Sequence, residues 1–244
     1  MLLSSMNEAR TSRAAWAQLQ VQTAADNAVQ RALLSLFNPR PDLRPPVDGT
    51  EREMSIGNVT ARVSIQDQTG LIDVNYAGRG TLSNLFKSAG SEPAEADALA
   101  DRVVAWRTSK AIGSLTAASA SDYRDAGSGY SPRGGPFQSV DEVAFVMGMT
   151  PPLFAKISPA LTVYSHQASF DLRLAPEAAL LAIPGMTEAN VAQAEAGRSA
   201  PSTIAGHAFS IVAKVSSGRI QFKRRAVVQI SGDPAHMYWF LSWE

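Results

Sequence analysis

The sequence predicts an α+β fold. A long N-terminal helix packs on an antiparallel sheet, and an all-α domain is inserted between the strands. Three observations carry this expectation. The first 37 residues repeat apolar side chains at three- and four-residue spacing without a glycine or proline. Two separate stretches, from Glu53 and from Phe209, alternate with period two. Between them the period returns to that of helices. Regions 1–78, 79–205 and 206–244 are therefore expected to be the helix with the first strands, the inserted domain and the returning strands. A helical block inside a sheet domain is most simply an insertion.

The N-terminal helix carries Trp16, Leu19, Ala25, Ala28, Val29, Ala32, Leu33 and Leu36 on one side. Arg13, Gln20, Gln22, Asp26, Asn27 and Gln30 make the other polar. Asn38-Pro39 stops it. At ~1.5 Å per residue it would span about 50 Å, more than one sheet needs, so its first turns are expected to project. Pro39, Pro41, Pro45 and Pro46 then make a stiff loop. Met54 and Ile56, then Val59, Ala61, Val63 and Ile65, alternate around Gly57-Asn58, the pattern of a hairpin. Gly70 breaks it, and Leu71 to Tyr76 reads as a further short extended segment.

In the central region, Leu82, Leu85, Phe86 and Ala89 mark a helix stopped by Gly90. Ala96, Leu99, Val103 and Trp106 mark the next, started by Ser91-Glu92-Pro93. Residues 107–136 are polar and rich in Gly and Ser, and read as a long surface loop. Gly148-Met149-Thr150 recurs as Gly185-Met186-Thr187, 37 residues on. In each, glycine ends a short helix at positive φ, methionine fills the core, and threonine caps the next helix. Each is a helix-hairpin-helix-like unit. Beyond Pro201, Phe209 to Val215 and Ile220 to Ile230 alternate around a turn at Ser216 to Arg219, and His236 to Trp243 is a last, aromatic-rich strand.

Four of these stretches, in order, resemble the general secretion pathway protein K family, a minor pseudopilin of type II secretion systems. They are Ala61 to Ala77, Leu99 to Trp106, Gly129 to Ser165 and Phe170 to Met186. The resemblance implies a pilin-like helix and sheet, with two helix-hairpin-helix or SAM-like units in the insertion. It implies a non-enzymatic protein at the tip of a periplasmic pseudopilus, in a hetero-oligomer with the minor pseudopilins I and J. Met1 to Phe37 reads like the part of the family helix that follows its membrane segment, so a periplasmic domain of an inner-membrane-anchored protein is expected. The sequence departs from the family where Arg107-Thr108-Ser109-Lys110 follow Trp106 in place of acidic residues, and where Asp171-Leu172-Arg173 replace an Asn-x-Asn. Some relatives carry calcium in acidic loops. Asp122, Asp125 and Asp141 stand in that region here, but no ligand set is identifiable among them; no cofactor is read from the residues, and the resemblance leaves calcium open.

The composition is that of a folded globular chain and excludes several function classes. Twenty-two basic side chains balance 22 acidic ones among 244 residues, and there is no cysteine. Disulfides, thiolate metal sites and a cysteine nucleophile are excluded, and the basic excess of a nucleic-acid binder is missing. His166, His207 and His236 lack the spacing of metal ligands, and Glu51, Glu53, Asp67 and Asp73 read as solvated at edges and turns. No nucleophile–base pair or phosphate loop is present. The alternative is a DNA-binding use of the two hairpins, but their second glycine is missing and Glu188 would repel phosphate. The candidate partner-binding residues are Trp16 and Leu19, which lie out along the helix beyond the expected reach of the sheet.

Overall fold

The structure is a computed structural model describing residues 2–108, 120–125, 127, 129–196 and 203–244. The chain divides into two compact units, Met1–Asp67 with Ser199–Glu244, and Gln68–Arg198.

In the first unit, α1 (Leu2–Leu36) is one uninterrupted helix, as its spacing predicts. The strands β1 (Arg52–Ile56), β2 (Val59–Asp67), β5 (Ala208–Ser217), β6 (Ile220–Ile230) and β7 (Tyr238–Trp243) form an antiparallel sheet in that order. The hairpin turn falls at Gly57-Asn58, with Gly57 at φ +58°. That left-handed geometry matches the twist of the flanking strands and suits a residue without Cβ. The second hairpin is tighter than the four-residue turn expected. Its strands pair through Ser217↔Ile220, leaving only Gly218 and Arg219 between them.

Alternation places Val63, Ile65, Ile211, Ala213, Ala226 and Val228 on one buried face. Val21, Ala25, Ala28, Val29, Ala32, Leu33 and Leu36 of α1 are buried as well, and the helix packs on β2, β5 and β6. Polar contacts fix the helix on both flanks. Arg224 Nε donates to Asp26 Oδ1 at 2.6 Å, and Arg31 Nη1 donates to the Ser55 carbonyl at 2.7 Å. Asp67 is the exception to the apolar pattern. It continues the phase of Ala61, Val63 and Ile65 and is completely buried, with His207 Nδ1 2.7 Å from its Oδ2. The expectation that it is solvated is corrected. A buried carboxylate needs polar partners, and the chain supplies them.

In the second unit, α2 (Arg79–Ser88) and α3 (Pro93–Arg107) pack against each other. Leu82, Leu85 and Phe86 share one core with Ala96, Leu99, Val103 and Trp106. Pro93 takes the first turn of α3. The helical expectation for residues 79–200 is corrected at β4 (Leu161–Thr162), which pairs in parallel with β3 (Ile72–Asp73). Residues 68–78 thereby join this unit. The extended segment expected over Leu71 to Tyr76 is shortened to β3, because the side chain of Asp73 ends it. Buried Asp73 accepts from the backbone N–H of Asn75 and of His166, both at 2.8 Å, and from the Ser165 hydroxyl. Asn75 acts as a substitute strand for Phe137, exchanging hydrogen bonds of 3.0 and 2.7 Å with its carbonyl and N–H. Arg107 donates to the carbonyls of Val74 and Ala77. Its burial lowers its pKa, and Asp73 opposes that shift.

The expectation of a surface loop over 107–136 is also corrected, although 109–119 lie outside the described residues. Residues Ala120–Asp125 form a short helix, α4. Tyr123 on it is fully buried, beside Trp106 at 6.0 Å, and its hydroxyl accepts from the Met147 N–H at 2.9 Å. Trp106 stacks on Phe137 at 5.9 Å. An aromatic spacing inside a polar stretch therefore supplies core.

The two Gly-Met-Thr segments have the backbone their residues require. Gly148 and Gly185 lie at φ +88° and +80°. Thr150 Oγ1 caps α5 (Pro151–Ile157) by accepting from Leu153 N–H, and Thr187 Oγ1 accepts from Asn190 N–H at the start of α7 (Glu188–Ala196). Met149 and Met186 are partly buried against the core. The preceding helices are short: a 3-10 helix over Val140–Phe145 and the four-residue α6 (Glu177–Leu180).

Gly70 has a packing reason. A Cβ there would lie 2.4 Å from the Leu174 carbonyl oxygen, a backbone atom that cannot swing aside. Gly70→Ala is expected to destabilise the chain by about 1–3 kcal/mol, read as a lower urea midpoint; an unchanged midpoint would show that this approach is easily relaxed. A second expectation concerns acid. Hydrogen bonds from Lys87 and then Ser83 hold the Asp97 carboxyl below 3.8, and Arg79 does the same for Asp101. Depressed folded-state pKa values contribute stability that is full above the unfolded value and is lost as pH falls through the lowered one. Asp97→Asn with Asp101→Asn should flatten the fall of the urea midpoint below about pH 4, with little change in that slope at neutral pH.

Candidate docking surface on the N-terminal helix

The burial pattern of α1 changes along its length. From Val21 to Leu36 one side is core. Before Val21 the described side chains are exposed or partly exposed, and Trp16 and Leu19 are 66 % and 53 % exposed. Both candidate residues therefore lie free of the sheet, on a helix whose later turns are held rigidly by it. They are three residues apart, so they sit on adjoining turns of one side. Two large apolar side chains in water next to each other make a surface suited to another apolar face. In geometry it can bind; it holds no acid, base or nucleophile.

The remaining candidates are accounted for by local structure. Glu51 pairs with Lys214, which holds its carboxyl below the ordinary range. His166 is exposed at φ +54°, its ring meeting Tyr76 edge-on at 5.6 Å while Asp73 grips its backbone N–H. His207 is used by Asp67, and His236 is exposed near Asp233, with 3.5 Å between Nδ1 and Oδ2. The structure brings none of the three histidines together with another. Among the described residues no group of three or more His, Asp or Glu side chains could hold a metal ion, and no helix is long and apolar enough to cross a membrane.

One exposed group escaped the sequence reading. Trp239, Phe240, Leu241 and Trp243 of β7 are all substantially exposed. The signal was available: the strand is apolar on both faces, so alternation cannot bury all of it. β7 is also the edge of the sheet.

Comparison with known proteins finds a family model and solved structures. Residues 58–166 match the family model described as type II secretion system (T2SS), protein K. No curated protein matches the chain. Among solved structures, the chain is similar to one in the crystal structure of the GspK-GspI-GspJ complex from the enterotoxigenic Escherichia coli type 2 secretion system. Identity is 15 %, the TM-score is 0.63, and 97 % of this chain and 98 % of that chain are covered. At this identity the likeness is one of fold.

Proposed function

We propose that this chain, whose residues 58–166 match the model of type II secretion system protein K, is a minor pseudopilin that caps the tip of a periplasmic pseudopilus and supports protein export across the outer membrane. It acts without catalysis, as the periplasmic domain of an inner-membrane-anchored protein. Its partners are the minor pseudopilins I and J, the counterparts of the other two proteins named in the similar complex.

The observation that carries the proposal is the free first part of α1. Trp16 and Leu19 project beyond the turns that the sheet covers, where a neighbouring helix can lay an apolar stripe against them. The connectivity supports the capping reading. The chain leaves the sheet for the second unit at the end of β2 and returns at the start of β5, which pair there through Asp67↔Phe209. That end of the sheet is reached through Phe209↔Val228 and Ile230↔Tyr238, and Tyr238 lies 6.2 Å from Phe37. The crossings thus leave at the end where α1 stops, remote from Trp16. A helical assembly adds subunits only while equivalent surfaces stay free. The compact unit Gln68–Arg198, inserted between β2 and β5, is bulk that a subunit open to further addition would not carry.

The test is Trp16→Glu in the full chain, measured by co-purification and titration with the minor pseudopilins I and J of the same organism. The variant should keep the thermal midpoint of the parent and lose ten-fold or more in affinity, about 1.4 kcal/mol. Loss of folding would make Trp16 a core residue, and unchanged binding would remove α1 from the interface; either outcome defeats the proposal.

A further inference from the structure

We infer that the docking surface on α1 continues along one flank of the helix onto β7, forming a single strip that seats an uncharged helical stripe of the same partner. This rests on the reading of α1 as a docking helix and extends it to residues outside that helix.

The flank is identified by spacing and by contacts. Leu19, Asp26 and Leu33 recur at sevens, and Phe37 follows four residues on, so all four share one side of a helix with about 3.6 residues per turn. Asp26 accepts from Arg224 of β6, and the Phe37 ring lies 6.2 Å from Tyr238 of β7. This flank therefore faces the β6–β7 side. The opposite flank is the one that Arg31 ties to Ser55 of β1. Leu19 is on the β7 side, two turns before Asp26.

On β7 the register gives Ile230↔Tyr238, Val228↔Phe240 and Ala226↔Trp243, with an irregularity between Val227 and Val228. Val228 and Ala226 belong to the buried face, so Tyr238, Phe240 and Trp243 lie on the helix side of the sheet. The irregularity keeps Trp243 on that side, and the rings of Phe240 and Trp243 meet edge-on at 5.0 Å. The Arg224 guanidinium carbon stands 5.3 Å from the Trp243 ring and 5.0 Å from the Phe222 ring. Elsewhere this side of the sheet is core. At β7 it is open, with Phe240 38 % and Trp243 39 % exposed, because α1 lies over β2, β5 and β6.

Size and charge select the occupant. An aromatic side chain buries about 150–250 Å², so the exposed parts of Phe240 and Trp243 offer only on the order of 150 Å². A stable interface takes about 800 Å² from each partner, which a second copy seated on β7 alone would not reach. Leu19 and Trp16, 53 % and 66 % exposed, more than double the area that β7 offers, to about half of that requirement, so β7 contributes as one part of a longer interface along α1 and not as a seat of its own. The strip runs about 30 Å along α1 at ~1.5 Å per residue from Trp16 to Phe37, the length of a helix lying beside it. Its ion pair, Asp26–Arg224, is internally neutralised, so the complementary stripe needs no charge.

The strand itself provides the control. Trp239 is 49 % exposed and opposite Gln229, on the other face of β7. Phe240→Glu and Trp243→Glu in the full chain should each weaken binding to minor pseudopilins I and J ten-fold or more, while Trp239→Glu leaves it unchanged. Equal losses in all three would mean that a partner strand pairs with the β7 edge, and would overturn the strip. So would normal binding by Phe240→Glu and Trp243→Glu while Trp16→Glu is impaired. If Trp16→Glu also binds normally, the docking helix itself fails. Should the glutamate variants not fold, the chain's lack of cysteine permits Phe240→Cys and Trp239→Cys with a short thiol-reactive crosslinker. A partner adduct from Phe240→Cys alone is expected; equal adducts or none from it would reject the strip.

Discussion

The ladder between β2 and β5 is the constraint on which the first unit depends. It runs from Ala61↔Val215 to Asp67↔Phe209, and at its end the Asp67–His207 contact spans 140 positions of sequence. Closing so long a loop is less costly than intuition suggests, because the entropy grows only with the logarithm of length. It costs less still when the intervening chain is itself compact, as Gln68–Arg198 is. Without this ladder β1–β2 and β5–β7 would be two separate ribbons, and α1 would have no continuous face to cover.

The same ladder explains why α1 serves two purposes. Val21 to Leu36 find a sheet wide enough to bury them, and Asp26 and Arg31 pin the helix from its two flanks. A helix anchored over its second half presents its first half at a defined angle. Apolar residues there are held in water by the rigidity of the rest, so Trp16 and Leu19 do not fold back to hide themselves. The exposure is a consequence of helix continuity, since breaking α1 to bury two side chains would leave backbone groups unpaired.

The second unit depends less on regular structure. Its connections are organised by side chains standing in for backbone. Asp73 takes the N–H groups of Asn75 and His166, Asn75 pairs with Phe137 in place of a strand, and Arg107 satisfies two carbonyls. Such groups hold irregular segments firmly because an unpaired buried partner is costly. Arg107 stands where the resembling family has acidic residues. Its position at the end of α3 lets a cation meet outward carbonyls, which a carboxylate could not do.

Much of this was legible in the sequence because it is written as local periodicity. The length of α1, its stop at Asn38-Pro39, the hairpin at Gly57-Asn58, the paired face of α3 and the capped Gly-Met-Thr turns each follow from spacing and from residues with particular backbone demands. Trp16 and Leu19 could be singled out because they lay further along a helix than one sheet can reach. Other features required the tertiary structure, since they depend on partners distant in sequence. Tyr123 became core because Trp106 and Met147 meet it; β4 became a strand because β3 lies beside it; Asp67 and Asp73 could be buried because His207 and the His166 N–H reach them. The exposed face of β7 is of the same kind. Composition marks the strand as apolar, but only the width of the sheet relative to one helix decides which of its aromatic rings remain in water.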